Sequence, residues 1–267
     1  MTALNLAVGI TIVVCAFCWI ASAITKDVSW VDRLWSIVPV VYLWVFAGFA
    51  GLSDPRLTVM AVLVTLWGAR LTFNFARKGG YSGVEDYRWA VLRGRMSPVA
   101  FRLFTLFFIT LFQNLILLAI TLPALTALER RGTPFGILDL IATALFLVFL
   151  LGETIADQQQ WAFQRRRAAA LAAGREPKRR FLTTGLFRYS RHPNFFFEQA
   201  QWWTIALFGV AAAGALPWTV IGALLLTALF VGSTRFTESI TRSKYPEYAD
   251  YQATTSAVIP WFPGPGR

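Results

Sequence analysis

The feature that most constrains this chain is a succession of apolar stretches, each close to the length that crosses a bilayer. A spanning helix needs about 20 mainly apolar residues. Seven stretches qualify: 3–24, 34–52, 56–76, 99–122, 135–156, 195–213 and 215–234. Hydrophobic residues make up 56% of the chain and charged residues only 15%, too greasy a balance for a soluble domain of this length. The expected fold is all-α: a polytopic membrane helix bundle of about seven transmembrane helices. Residues 3–24 have neither a basic n-region nor a small-residue cleavage site, so they read as a retained helix rather than a signal peptide. No internal repeat or low-complexity linker interrupts the sequence, and 1–267 reads as a single membrane domain.

The net charge is +11. Cytoplasmic loops of membrane proteins are rich in Lys and Arg and touch anionic lipid, which explains the excess without nucleic acid. With the N-terminus outside and the C-terminus cytoplasmic, Lys26, Arg33, the 77–102 loop, the 165–191 loop and the tail carry most of the 25 basic residues. Arg56, Arg130 and Arg131 stay outside, and Arg70 falls inside the third stretch. Both cysteines, Cys15 and Cys18, lie in the first stretch among Val, Ala and Phe. They read as small apolar filler, and a chain with one histidine and no further cysteine offers no ordinary zinc site.

Polar groups inside such stretches are costly to bury and mark contacts or function. Arg70 and Asn74 share a helical face. Gln113 and Asn114 sit in the middle of the fourth stretch, as interhelical contacts or as site residues. Glu153 and Asp157 share a face at the end of the fifth, with Arg165, Arg166 and Arg167 following. Two loops stand out. The 77–95 loop, RKGGYSGVEDYRWAVLRGR, sets Glu85, Asp86 and Arg88 among Tyr81, Tyr87 and Trp89. It reads either as an amphipathic helix on the membrane, with Trp89, Val91 and Leu92 inward, or as a cap reaching into a site. The 158–191 loop carries nine basic residues against one glutamate. It leads into 183–203, TTGLFRYSRHPNFFFEQAQWW, which holds the lone His192. Pro193 restricts His192 to extended backbone and suits the first turn of a helix.

RYSRHPNFFFE, residues 188–198, resembles the R-x-S-R-H-P-x-[YF]-x-x-E signature of integral-membrane steroid 5α-reductases, sterol reductases and isoprenylcysteine or phospholipid methyltransferases. Tyr245-Pro246-Glu247-Tyr248 and Val258-Ile259-Pro260 are similar to the tail of that family. Val31, Asp32 and Trp35 (V-D-x-x-W), with Glu85, Asp86 and Arg88 (E-D-x-R), resemble a bacterial branch described only as steroid 5α-reductase-like. The resemblance implies a seven-helix bundle in the bacterial inner membrane, with NADPH entering from the cytoplasmic side and a lipophilic substrate from the membrane. Residues 1–134 would form the substrate half and 135–267 the cofactor half. It places Asp157 on the adenosine side, Arg180 near the phosphates, Asn194 on the nicotinamide amide with Glu198 one turn later, and Tyr245 closing over the cofactor. Glu153 stands where an Asn is common.

The chain departs from the steroid enzymes in the catalytic half. It contains no Gln-x-Glu; Asp32 falls near the Glu position, and Trp67 stands where a Tyr is expected. The proton donor is then expected from Asp32 with Tyr81 or Tyr87, and the substrate wall from Trp35, Trp67 and Glu85. NADPH carries a diphosphate and a 2′-phosphate, which Arg forks suit. S-adenosylmethionine carries no phosphate. The run from Arg165 to Arg191, with Arg180 and Arg188, therefore fits NADPH better, and Tyr189 and Tyr248 are expected on the cofactor side with it. Arg191 and His192 read either as phosphate-side groups or as shapers of the loop. The expected activity is reduction of a C=C bond in a lipophilic enone. The alternatives are an S-adenosylmethionine-dependent membrane methyltransferase and a non-catalytic lipid-binding relative.

Overall fold

The computed structural model describes residues 1–177 and 179–264. Lys178, one of the nine basic residues of the second loop, and residues 265–267 lie outside that range. Every regular element among the described residues is helical. The chain divides into two units: Met1–Phe146 with Trp202–Leu226, and Leu147–Gln201 with Thr227–Arg267.

Unit one opens with α1 (Ala3–Thr25), capped by Thr2, whose hydroxyl accepts the Asn5 amide at 3.1 Å. The short α2 (Trp30–Leu34) and α3 (Val38–Phe49) follow. The 34–52 stretch is thus broken. Pro39 sits in the first turn of α3, and Gly51 and Leu52 take left-handed backbone after it. At 12 residues, α3 is roughly 18 Å long, short of a bilayer core. Helix α4 (Pro55–Arg77) begins with Pro55 behind an Asp54 cap. α5 (Tyr87–Arg95) is the amphipathic helix expected in the 77–95 loop. Its apolar face packs into protein, for Trp89 joins a cluster with Cys18, Val28, Val31, Phe101 and Ile109. α6 (Pro98–Phe104) passes through a π-helical segment, Thr105–Phe112, into α7 (Gln113–Ala119) and α8 (Pro123–Glu129). Residues 123–129, expected as connection, are helical because Pro123 opens a new first turn, and the buried run Ala124–Leu128 then packs inward.

Helix α9 (Ile137–Ala172) outruns the expected 135–156 by well over a turn. Gln, Arg and Ala residues favour helix whatever their charge, and left-handed Gly174 follows its end. α10 (Pro193–Ala213) starts at Pro193 as expected. A 3-10 turn after Pro217 leads into α11 (Ile221–Lys244), which ends before Pro246. α12 (Tyr248–Thr254) closes the chain. Among the described residues, five helical stretches are long and apolar enough to cross a membrane: Ala3–Thr25, Pro55–Arg77, Pro98–Glu129, Ile137–Ala172 and Trp218–Lys244. This is the pattern of a multi-pass integral membrane protein. α10 has the length, at 21 residues, but Asn194, Glu198, Gln199 and Gln201 dilute its apolarity.

Lipid is as apolar as leucine, so close packing rather than escape from water holds spanning helices together. In unit one, Tyr42, Leu43 and Phe46 of α3 and Leu57, Met60, Val64 and Trp67 of α4 are fully buried. The Thr11 and Tyr42 hydroxyls share a 2.6 Å hydrogen bond that joins α1 to α3. The start of α11 touches backbone directly: a Cβ on Gly222 would lie 2.1 Å from the Ala119 carbonyl oxygen. Because backbone cannot swing aside, Gly222→Ala is expected to cost about 1–3 kcal/mol, read as a lower unfolding temperature in detergent. A variant as stable as the parent would show that the two segments separate freely.

Candidate cofactor and substrate sites

In unit two, Glu153 and Asp157 lie one turn apart on α9, and both are buried. Glu153 Oε2 accepts the Gln201 side-chain amide at 2.7 Å. One turn of α9 lies against Phe197, whose ring a Cβ on Gly152 would strike at 2.5 Å. Farther along the helix, Gln159 Oε1 accepts the Leu186 amide at 2.9 Å and ties the 185–188 turn to α9. Arg165 and Arg166 are exposed, whereas Arg167 turns inward. Its Nη2 donates to the Tyr245 hydroxyl at 2.8 Å, and its Nε is buried without an acceptor among the described residues.

Tyr245 gathers cations. Lys244, Arg180 and Arg167 stand 5.7, 5.7 and 5.9 Å from its ring centroid. Among the described residues, Glu247 pairs with Arg180 at 3.6 Å, where both side chains are about half exposed. Phe181 stacks on Tyr251 at 5.7 Å and meets Tyr248 edge-on at 5.0 Å, which completes an aromatic floor. Burial, and then the charge of Glu238, push the Tyr248 phenol well above its ordinary value, so it stays protonated. Arg188 and Tyr189 are exposed; Tyr189 packs edge-on against Phe262, and its carbonyl accepts the Trp261 amide at 2.9 Å.

Arg191 and His192 are held from every side. Glu238 on α11 takes Arg191 Nε at 2.6 Å and Nη2 at 3.0 Å, and sits 3.1 Å from His192 Nε2. Arg191 Nη1 donates to the carbonyls of Gln252 and Thr255. Burial alone would lower the guanidinium, but the hydrogen bond and charge of Glu238 outweigh it and push Arg191 up. The Arg191 and His192 amides donate to the Ser256 and Ala257 carbonyls at 2.8 and 3.1 Å. Asn194, half-buried, and Glu198, buried, occupy the first two turns of α10. Sequence reasoning missed Glu238; its one local signal is that it is the sole acid in 227–244.

In unit one, Asp32 is partly buried and accepts the Trp89 indole N–H at 3.1 Å. Burial, followed by the nearby charge of Asp86, raises its pKa; Arg88 and the hydrogen bonds from Trp89 and Ser29 pull the other way. The acceptor for the Tyr81 hydroxyl is the Arg33 carbonyl, at 3.0 Å, and Tyr87 is 54% exposed. Glu85 accepts the Val28 amide at 3.1 Å and pairs with Arg93 at 2.7 Å, so it staples the 77–95 loop to the α1–α2 connection. Asp86 closes on Arg88, and its amide donates to the Ser29 hydroxyl. Trp35 packs at the edge of the Trp89 cluster. Trp67, fully buried, meets Trp202 edge-to-face at 4.9 Å.

Residues 18–255 match the family model described as "Protein of unknown function (DUF1295)". The chain belongs to the DUF1295 family. That family is steroid 5α-reductase-like. The DUF1295 chain is also 41% identical over 262 residues to an uncharacterized protein of the fission yeast Schizosaccharomyces pombe, with 92% of this chain and 76% of that protein covered. No solved structure matches. The DUF1295 match includes Asp32, the 77–95 loop and the RHP motif, so both groups of polar residues described above fall within the family region.

Proposed function

We propose that this chain is a membrane-embedded, NADPH-dependent reductase of a carbon–carbon double bond in a lipophilic enone. The observation that carries the reading is the cation cluster around Tyr245. Three cations within 6 Å of one ring, with Glu247 as the acid paired to them among the described residues, make a locally positive surface that favours a polyanion. Within that cluster, the buried Arg167 Nε has no hydrogen-bond partner among the described residues. Such a donor set suits phosphate oxygens. Arg191 does not count toward it, since Glu238 and the tail carbonyls take all three of its nitrogens.

In this reading Arg167, Arg180 and Lys244 hold the phosphates. Asp157 accepts from ribose or adenine, and Asn194 offers both a donor and an acceptor to the nicotinamide amide. When bound, NADPH would supply a hydride to the β-carbon of the enone. The chain's own task is to balance the charge that follows: Asp32, which burial biases toward its protonated form, donates a hydrogen bond to the carbonyl oxygen as negative charge builds there. The enolate then takes a proton from water at the α-carbon, giving the saturated ketone. The same reading keeps the N-terminus outside and the C-terminus cytoplasmic.

Titration of purified protein with NADPH, followed by tryptophan fluorescence, tests the proposal. NADPH is expected to bind at least tenfold more tightly than NADH, and Arg167→Gln to weaken NADPH by about tenfold, the size of one charge-assisted hydrogen bond. Arg166→Gln, on the exposed face, is expected to change little. Tight S-adenosylmethionine binding with no response to NADPH would overturn the reading in favour of methyl transfer. No response to either ligand would point to a lipid-binding protein.

A further inference from the structure

Glu238 takes no part in the steps above, yet its carboxylate makes five side-chain hydrogen bonds among the described residues. It is 8% exposed. Oε1 faces Arg191 Nε at 2.6 Å, His192 Nε2 at 3.1 Å and the Tyr248 hydroxyl at 3.3 Å. Oε2 faces Arg191 Nη2 at 3.0 Å and the Gln252 side-chain amide at 2.8 Å. These partners lie on the loop before α10 and on α12, so one carboxylate joins two segments to α11. Arg191 extends the knot through the Gln252 and Thr255 carbonyls, and the Ser190 hydroxyl adds the Val258 carbonyl at 2.7 Å.

We infer that Glu238 is a positioning residue for the nucleotide site, an assignment that rests on the reductase reading. Asn194 is two residues beyond His192, at the start of α10, and Tyr245 is three residues before Tyr248. Both groups assigned to the nucleotide therefore hang from segments that Glu238 ties down. The knot needs a carboxylate in particular. Its partners are donors, and a carboxylate offers acceptor sites alone. Glutamine keeps the shape but turns an NH2 toward Arg191 or Gln252, leaving a nearly buried guanidinium without its counter-charge.

The test compares Glu238→Gln with the full-length parent in detergent micelles by amide hydrogen exchange without nucleotide, NADPH titration and steady-state kinetics. The expected result is faster exchange at the Arg191 and His192 amides, with exchange in α4 unchanged. KM for NADPH should rise about tenfold while kcat at saturating NADPH stays within about twofold. Because Glu238 acts through Arg191, the Glu238→Gln, Arg191→Gln double variant should bind NADPH no more weakly than Glu238→Gln alone. Gln252→Ala removes one neutral donor and leaves Arg191 paired; it should move the same readouts in the same direction by less, and it serves if Glu238→Gln fails to fold. Unchanged exchange at Arg191 and His192, an unchanged NADPH KM, or strictly additive losses in the double variant would overturn the inference alone. A parent protein that binds no NADPH would overturn the functional reading and this inference with it.

Discussion

Arg56→Ala is expected to destabilise the protein by about 3–5 kcal/mol, because it strands a carboxylate inside unit one. Arg56 reads from sequence as a loop charge, yet it is 2% exposed and its partner Asp139 1%. The guanidinium meets Asp139 through Nε at 2.6 Å and Nη2 at 2.9 Å, Thr133 at 2.6 Å and the Pro134 carbonyl at 2.8 Å. Asp139 Oδ2 also accepts the Gly136 amide at 2.8 Å. The first turn of α4, the 130–136 connection and the first turn of α9 thus share one polar knot. Asp139→Ala should cost a similar amount, and the double change Arg56→Met, Asp139→Leu clearly less than either, since it leaves no unpaired charge. Thermal unfolding in detergent measures this, with single-variant losses on the order of 10 °C. Single variants no less stable than the double would show that the pair carries little of the packing here.

Asp32→Asn is expected to lower enone turnover by about a hundredfold or more, the range typical of a lost general acid, while NADPH binding stays within about twofold. The pH profile makes the test specific. The folded-state pKa of Asp32 is raised, by burial first and by Asp86 second. Turnover that needs the protonated acid should therefore hold at low pH and fall as pH rises through that raised value. The Asn variant should lose this limb. The stability contribution has the same sign: it is fully present below the ordinary aspartate value and is lost as pH rises through the folded value. Trp89→Phe removes an indole donor that favours the charged form, so it should move the descending limb to higher pH. Full turnover in Asp32→Asn would remove Asp32 from the chemistry and leave the NADPH assignment standing.

Much of the helical layout was legible because apolar runs of spanning length leave the backbone few options. Pro193, read as suited to the first turn of a helix, begins α10. Misreadings arose where local composition supports two outcomes. The 158–172 segment is charged enough for a loop and also rich in helix formers, and helix α9 continues through it. Residues 34–52 are apolar throughout, but Pro39 and the left-handed Gly51 and Leu52 confine the helix to 38–49. The 77–95 loop announced an amphipathic helix; that its Trp89 packs into protein rather than lipid depends on Val28, Val31 and Phe101, which no local pattern links to it.

The sequence by itself determined that this chain is helical and membrane-type and that its basic residues collect near an R-H-P motif. Those conclusions follow from local regularities: hydrophobic period, proline and glycine positions, and charge runs. Only the tertiary structure decided who pairs with whom. Arg56 finds Asp139 across 83 residues, Asp32 finds Trp89 across 57, and Arg191 finds Glu238 across 47. Each pair exists because a charge or indole N–H brought out of water must meet its complement, and which complement is near depends on how the helices pack. The R-H-P motif shows the difference. Its arginine read either as a phosphate-side group or as a shaper of the loop, and the fold commits it to Glu238 and the tail carbonyls.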